Sequence, residues 1–85
     1  MLETGKSVFI RTVTNYYTGR IAANPPKGFV LLEEAAWIAD TGRFSAALKS
    51  GTLSEIEPFP GAVAVSLGAI VDISPWDHEL PRAVK

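Results

Sequence analysis

The stretch GAVAVSLGAIVDISP, residues 61–75, constrains this chain most, because a single charged side chain, Asp72, sits in an otherwise apolar and β-branched run. Such residues fit a pleated, half-buried surface. With Gly68 interrupting it, the segment reads as two short strands over 63–75, hinged near residues 66–68. Sheet edges are normally defended by charge, proline or pairing. VAVSLGAIV carries neither charge nor proline, which is also the make-up of an aggregation-prone window. These strands therefore belong either in the middle of a monomer's sheet or at edges paired with another molecule. The last two strands of a small open barrel are usually edges, so the expectation is a homo-oligomer with Val63, Val65, Leu67, Ala69, Val71 and Ile73 at its interface. Head-to-tail pairing of unlike edges closes into a ring when the rotation closes.

The totals point the same way. Residues 1–85 form one small domain, and so short a chain buries only somewhat over roughly 60% of its unfolded surface. At 47% apolar it is expected to leave apolar surface for a partner. With no cysteine there is no disulfide framework and no thiolate metal site. The net charge of −1 argues against a strongly basic nucleic-acid binder. No apolar run approaches the roughly 18 residues of a membrane span, and MLETGKS lacks the apolar core of a signal peptide. The expected location is the cytoplasm, with no membrane partner.

Along the chain, SVFIRTVT (7–14) alternates as a strand with one face buried and the other partly so. NYYTGRIAA (15–23) continues as a strand in which Gly19 marks a bulge, bend or close backbone approach. NPPKG (24–28) is a turn with Gly28 at positive φ. FVLLEEAAWI (29–38) is a third strand whose alanine-rich half is compatible with helix. DTGRFSAALKSG (40–51) predicts the one helix: Asp40 or Thr41 as cap, Phe44, Ala47 and Leu48 on one face, and Gly51 as the stop. TLSEIEPFPGA (52–62) is a short extended piece, and WDHELPRAVK is a surface strap pinned by Trp76. The expected fold is mostly β: a small, five-stranded, strongly bent barrel of SH3-like or Sm-like type, with one short helix inserted between strands 3 and 4.

Two segments resemble the signatures of the Sm-like family. GAIVDISP (68–75) is similar to its second signature, a glycine, apolar residues, then Ser-Pro. YTGRIAANPPKGFVLLEEA (17–35) is similar to the first, with Gly19 mid-strand, a turn, and an apolar run closing on Leu32, Glu33 and Glu34. The resemblance implies rings of about five to seven subunits joined strand to strand, and binding of uridine- or adenine-rich RNA in the ring's inner pockets. The chain departs from the family at Pro25 and Phe29, where the first signature has Asp and Asn, and at Leu67, where the second has a basic residue. Those polar residues hold the base and the RNA path; ring closure needs only β-edges and apolar contacts. Residues 1–6 leave little room for the family's N-terminal helix. The AAWIADTGRF stretch resembles small proteins of tailed phages and bacterial mobile elements.

No catalytic constellation emerges, so the chain is read as non-enzymatic, with no cofactor and no metal. Asp77, His78 and Glu79 are consecutive, and neighbours on an extended chain point to opposite faces. Glu33–Glu34 and Glu55–Glu57 read as surface charges rather than acid–base pairs. Asp40 and Arg43 offer an anion or partner site, or simply a cap with a surface ion pair. Tyr16, Tyr17, Phe29 and Trp37, interleaved with Arg11, Arg20, Lys27 and Arg43, are candidates for stacking bases of RNA or single-stranded DNA. Tyr16, Arg20, Lys27, Phe29, Trp37 and Arg43 are thus the candidate contacts for nucleic acid or for an unidentified protein partner. Asp72 is expected either on the outer face or buried against Arg20 or Lys6, where a carboxylate needs a partner or a proton. Assembly as a structural module is the leading expectation, and a nucleic-acid-binding ring is the alternative.

Overall fold

In a computed structural model, residues 2–85 are described. β1 (Ser7–Thr12), β2 (Tyr16–Ile21) and β3 (Phe29–Asp40) form an antiparallel meander. The helix α1 (Phe44–Ser50) follows, then β4 (Glu55–Pro58), β5 (Val63–Ser66), one turn of 3₁₀ helix and β6 (Ile70–Pro75). The sheet runs in the order β4-β3-β2-β1-β6, and β5 also pairs with β3. The mostly-β fold and the single helix between the third and fourth strands match the sequence reading. Two details differ. There are six strands rather than five, because residues 55–58 find partners along the second half of β3. The sheet is open, because β5 and β6 each pair with a single strand and not with each other.

The alanine-rich half of residues 29–38 stays extended, through Asp40. Ala36, Trp37 and Ile38 are held by β2 on one side and β4 on the other, so ladder bonding overrides local helix preference. β3 needs this length because β4 and β5 lie end to end along one side of it, opposite residues 36–40 and 29–32. Between those two halves the register shifts, and Glu34 adopts a left-handed φ of 50°. Gly19 faces the shift. A Cβ there would meet the Leu32 Cβ at 3.0 Å and the Ala35 Cβ at 3.3 Å, so the close backbone approach expected at this glycine is real.

The bend gives the sheet two apolar cores. Val8, Ile10, Ile21, Val30, Leu32, Ala35 and Val65 fill one, flanked by Tyr17, Phe59, Ile70 and Ile73. Phe9, Ala36 and Ile38 point the other way and are covered by Ala47 of α1, Leu53, Ile56 and Trp76. β1 serves both cores, as its alternation with two apolar faces requires.

The helix starts later than its sequence suggests. Neither Asp40 nor Thr41 caps it: Arg43 is the N-cap and supplies no side-chain hydrogen bond. The Asp40 carboxylate instead accepts the Gly42 N–H at 2.8 Å, an Asx turn that turns the chain out of β3. Its end is as expected, with Gly51 in the left-handed region at φ 74°. Residues 76–85 fold back as a strap. The Trp76 ring, 3% exposed, stacks on Phe9 at 5.6 Å, and its indole N–H donates to the Glu79 carbonyl at 3.2 Å.

Candidate interaction surface

The expected interface strands lie at the two ends of the sheet. β6 pairs with β1 only, and β5 with β3 only. The ladder bonds then identify which backbone groups face outward. Trp76 N–H donates to the Ser7 carbonyl at 2.9 Å, so Ser74 and Asp72, two and four residues back, turn their backbones toward β1, while Pro75 and Ile73 turn theirs away. On β5, Leu67 N–H donates to the Gly28 carbonyl at 2.9 Å. By the same alternation Val65 and Val63 bond to β3, and Ala64 and Ser66 turn their backbones outward.

Of the six interface residues proposed from sequence, Leu67 (45% exposed) and Val71 (56%) are the exposed large side chains. Val65 is buried in the first core, and Val63 and Ile73 pack against it. Ala69 is half-buried. A neighbour on β5 or β6 therefore meets backbone from these strands and side chains from their ends. Each edge has a surface depression beside it, apolar next to β5 and of mixed polarity next to β6. Leu67 shares a surface depression with Leu2, Phe29 and Val30 next to β5, and Phe29 is the cross-strand partner of Ser66. Val71 shares another with Val13 and Tyr16 next to β6. The register slips at Val71, where Arg11 pairs with Asp72 and Thr12 with Ile70. This bulge twists the start of β6 and leaves residues 72–75 as its regular part.

Asp72 is exposed, the first of its two expected placements, and is not buried against Arg20 or Lys6. It lies directly across from Arg11 on β1. The Arg11 guanidinium donates to the Asp72 carboxylate through Nη2, and through Nε at 3.1 Å. This contact raises the Arg11 pKa above its usual value, by hydrogen bonding first and charge attraction second. Arg20 is occupied elsewhere, 2.8 Å from Glu34 and 3.4 Å from Glu33. Its guanidinium holds the Glu34 carboxyl below the ordinary glutamate range. Sequence reasoning missed the Arg11–Asp72 pair because 61 residues separate the two, and only strand order brings them together.

The candidate base-stacking residues do not form one platform. Tyr16 packs on Phe9 and Phe44 beside the second core. Phe29 and Trp37 are exposed but lie eight residues apart on β3, roughly 25 Å for an extended strand. Tyr17 stacks on Phe59 at 6.1 Å. Lys27 and Arg43 are exposed, in the turn before β3 and at the helix start, and among the described residues no ion pair joins Arg43 to Asp40. The strap disperses Asp77, His78 and Glu79: His78 Nε2 lies 2.8 Å from the Leu48 carbonyl at the end of α1, while Glu79 offers its backbone to Trp76. Among the described residues, no group of three His, Asp or Glu side chains converges to hold a metal ion, and no helix is long and apolar enough to cross a membrane. The sequence matches no protein-family model and no curated protein.

Proposed function

We propose that the protein is a non-enzymatic structural or interaction module, a bent SH3-like or Sm-like sheet whose copies join β5 of one molecule to β6 of the next in a closed ring. One observation carries this reading: the chain ends its sheet with two unlike edges, each with outward backbone groups and an exposed apolar side chain beside it, Leu67 by β5 and Val71 by β6. Unpaired strand edges are templates for strand addition. Unlike edges joined head to tail generate a ring when the rotation between copies closes. The nucleic-acid alternative draws less support, because Arg11 and Arg20 are engaged by carboxylates and the aromatic residues are scattered.

The test is the native mass at micromolar concentration, by size-exclusion chromatography with light scattering, for the wild type and Ala64→Pro. Proline at an outward-facing position removes no ladder bond within the chain, so the variant is expected to fold as a monomer while the wild type forms one discrete oligomer. A monomeric wild type contradicts the reading.

A further inference from the structure

β4 and β5 are in effect one outer strand, running alongside β3 and interrupted by residues 59–62. Half of that edge is bare and half is covered. The cover is the chain's own strap. Ile56 N–H donates to the Lys85 carbonyl at 3.0 Å, and Lys85 N–H donates back to the Ile56 carbonyl at 3.0 Å. This is the reciprocal bonding of an antiparallel pair. Three residues earlier, the Arg82 guanidinium reaches across the interruption. It donates to the Ala35 carbonyl at 2.5 Å and to the Phe59 carbonyl at 2.9 Å.

These contacts hold the strap by polar bonds more than by burial. Ala83, Val84 and Lys85 are all exposed, so residues 83–85 contribute little apolar packing. Trp76 and Leu80 supply the anchoring further back, in and against the second core. A segment held this way opens at lower free energy than the strands beneath it.

We propose that residues 82–85 are an edge guard: they occupy the outer side of β4, so that strand addition on this side of the sheet is confined to β5. The proposal rests on the edge-to-edge reading for what β5 does, and on the strap's own bonds for what β4 is denied. With the guard in place, the edge offered to a neighbour is about as short as β5. Without it, the incoming strand has β4 as well, a second register becomes available, and closed assembly gives way to open growth.

The experiment compares the wild type with Arg82→Ala/Lys85→Pro, which removes the guanidinium bridge and the Lys85 N–H. Amide hydrogen exchange at Ile56 is read against Ile10, and native mass is measured in parallel. The expected result is at least about tenfold faster exchange at Ile56, unchanged protection at Ile10, and a shift of the variant to larger, polydisperse species. Faster exchange at Ile56 with an unchanged mass overturns the proposal. So does an Ile56 amide that exchanges in the wild type as fast as in a free peptide, a readout that stands even if the double variant fails to fold. The two readings fail separately: a monomeric wild type whose variant associates retains the guard and removes the ring, while a wild-type oligomer whose variant has the same mass does the reverse.

Discussion

Gly19 and Glu34 face each other across the register shift between β2 and β3, and together they let one long strand serve two cores. Gly19 does so by having no side chain. Gly19→Ala places a methyl group 3.0 Å from the Leu32 Cβ and 3.3 Å from the Ala35 Cβ, both fully buried core residues that must shift to admit it. Overpacking of this kind costs about 1–3 kcal/mol, so chemical denaturation should show a loss of that size. Glu34 acts through charge. Its carboxyl is held below the ordinary glutamate range, first by its hydrogen bond to Arg20 and then by the attraction of that guanidinium. A group whose pKa is lower in the folded state stabilises the fold above its unfolded pKa, about 4.3, and loses that contribution as pH falls through the lower folded value. Glu34→Gln is therefore expected to melt slightly below the wild type at pH 7, with the difference closing below about pH 4. A gap that persists at low pH would assign the effect to a contact other than the charge pairing of Glu34 with Arg20.

At the scale of elements, the strap and α1 together cover the second core. Trp76 is the keystone of that cover, stacked on Phe9 and in edge contact with His78 at 4.8 Å. His78 in turn lies so close to Gly51 that a Cβ there would approach its ring at 2.7 Å. Helix end, strap and β1 thus meet at one point. Trp76→Ala is expected to cost about 3–5 kcal/mol, a large share of the roughly 4–13 kcal/mol available to a domain of this size. Urea titration should show a midpoint shifted far down, with α1 and the strap losing amide protection first. The element pattern was largely legible in the sequence. Alternation in 7–12, the turn at 24–28, the stop at Gly51, the hinge at 66–68 and the Trp76 anchor are all local signals, set by side-chain period or by the φ a residue tolerates. The N-terminus of α1 was misread because Asp40 has two competing uses, cap or Asx turn, and the exit direction of β3 selects the turn.

For the whole molecule, the question is which edges remain open. A six-stranded sheet this small has few ways to hide its ends. One half of the β3 side is covered by the strap, and the bulge at Val71 with the outward-facing Pro75 narrows what β6 offers. What remains is short: Ala64 and Ser66 on one side and Ile73 on the other. An assembly that joined these edges, as proposed, should therefore be sensitive to single backbone changes. Ala64→Pro is expected to abolish assembly while leaving a folded monomer with a cooperative, concentration-independent thermal transition. A variant with no cooperative transition would show that Ala64 acts inside the fold and not between copies.

The sequence by itself determined what is local. It specified five of the six strands, where the chain turns, that one helix interrupts the sheet, and that the 63–75 ribbon is too apolar and too uncharged to lie on a surface without a neighbour on at least one side. These follow from side-chain periodicity, backbone φ and burial, each encoded within a few residues. Tertiary structure alone decided the pairings. It placed Arg11 opposite Asp72 rather than leaving that carboxylate to Arg20 or Lys6, recruited residues 55–58 as a sixth strand, buried Val65 while exposing Leu67 and Val71, and laid Lys85 along Ile56. Each of these joins segments far apart in the chain, and strand order, which no local pattern encodes, is what brings them within hydrogen-bonding distance.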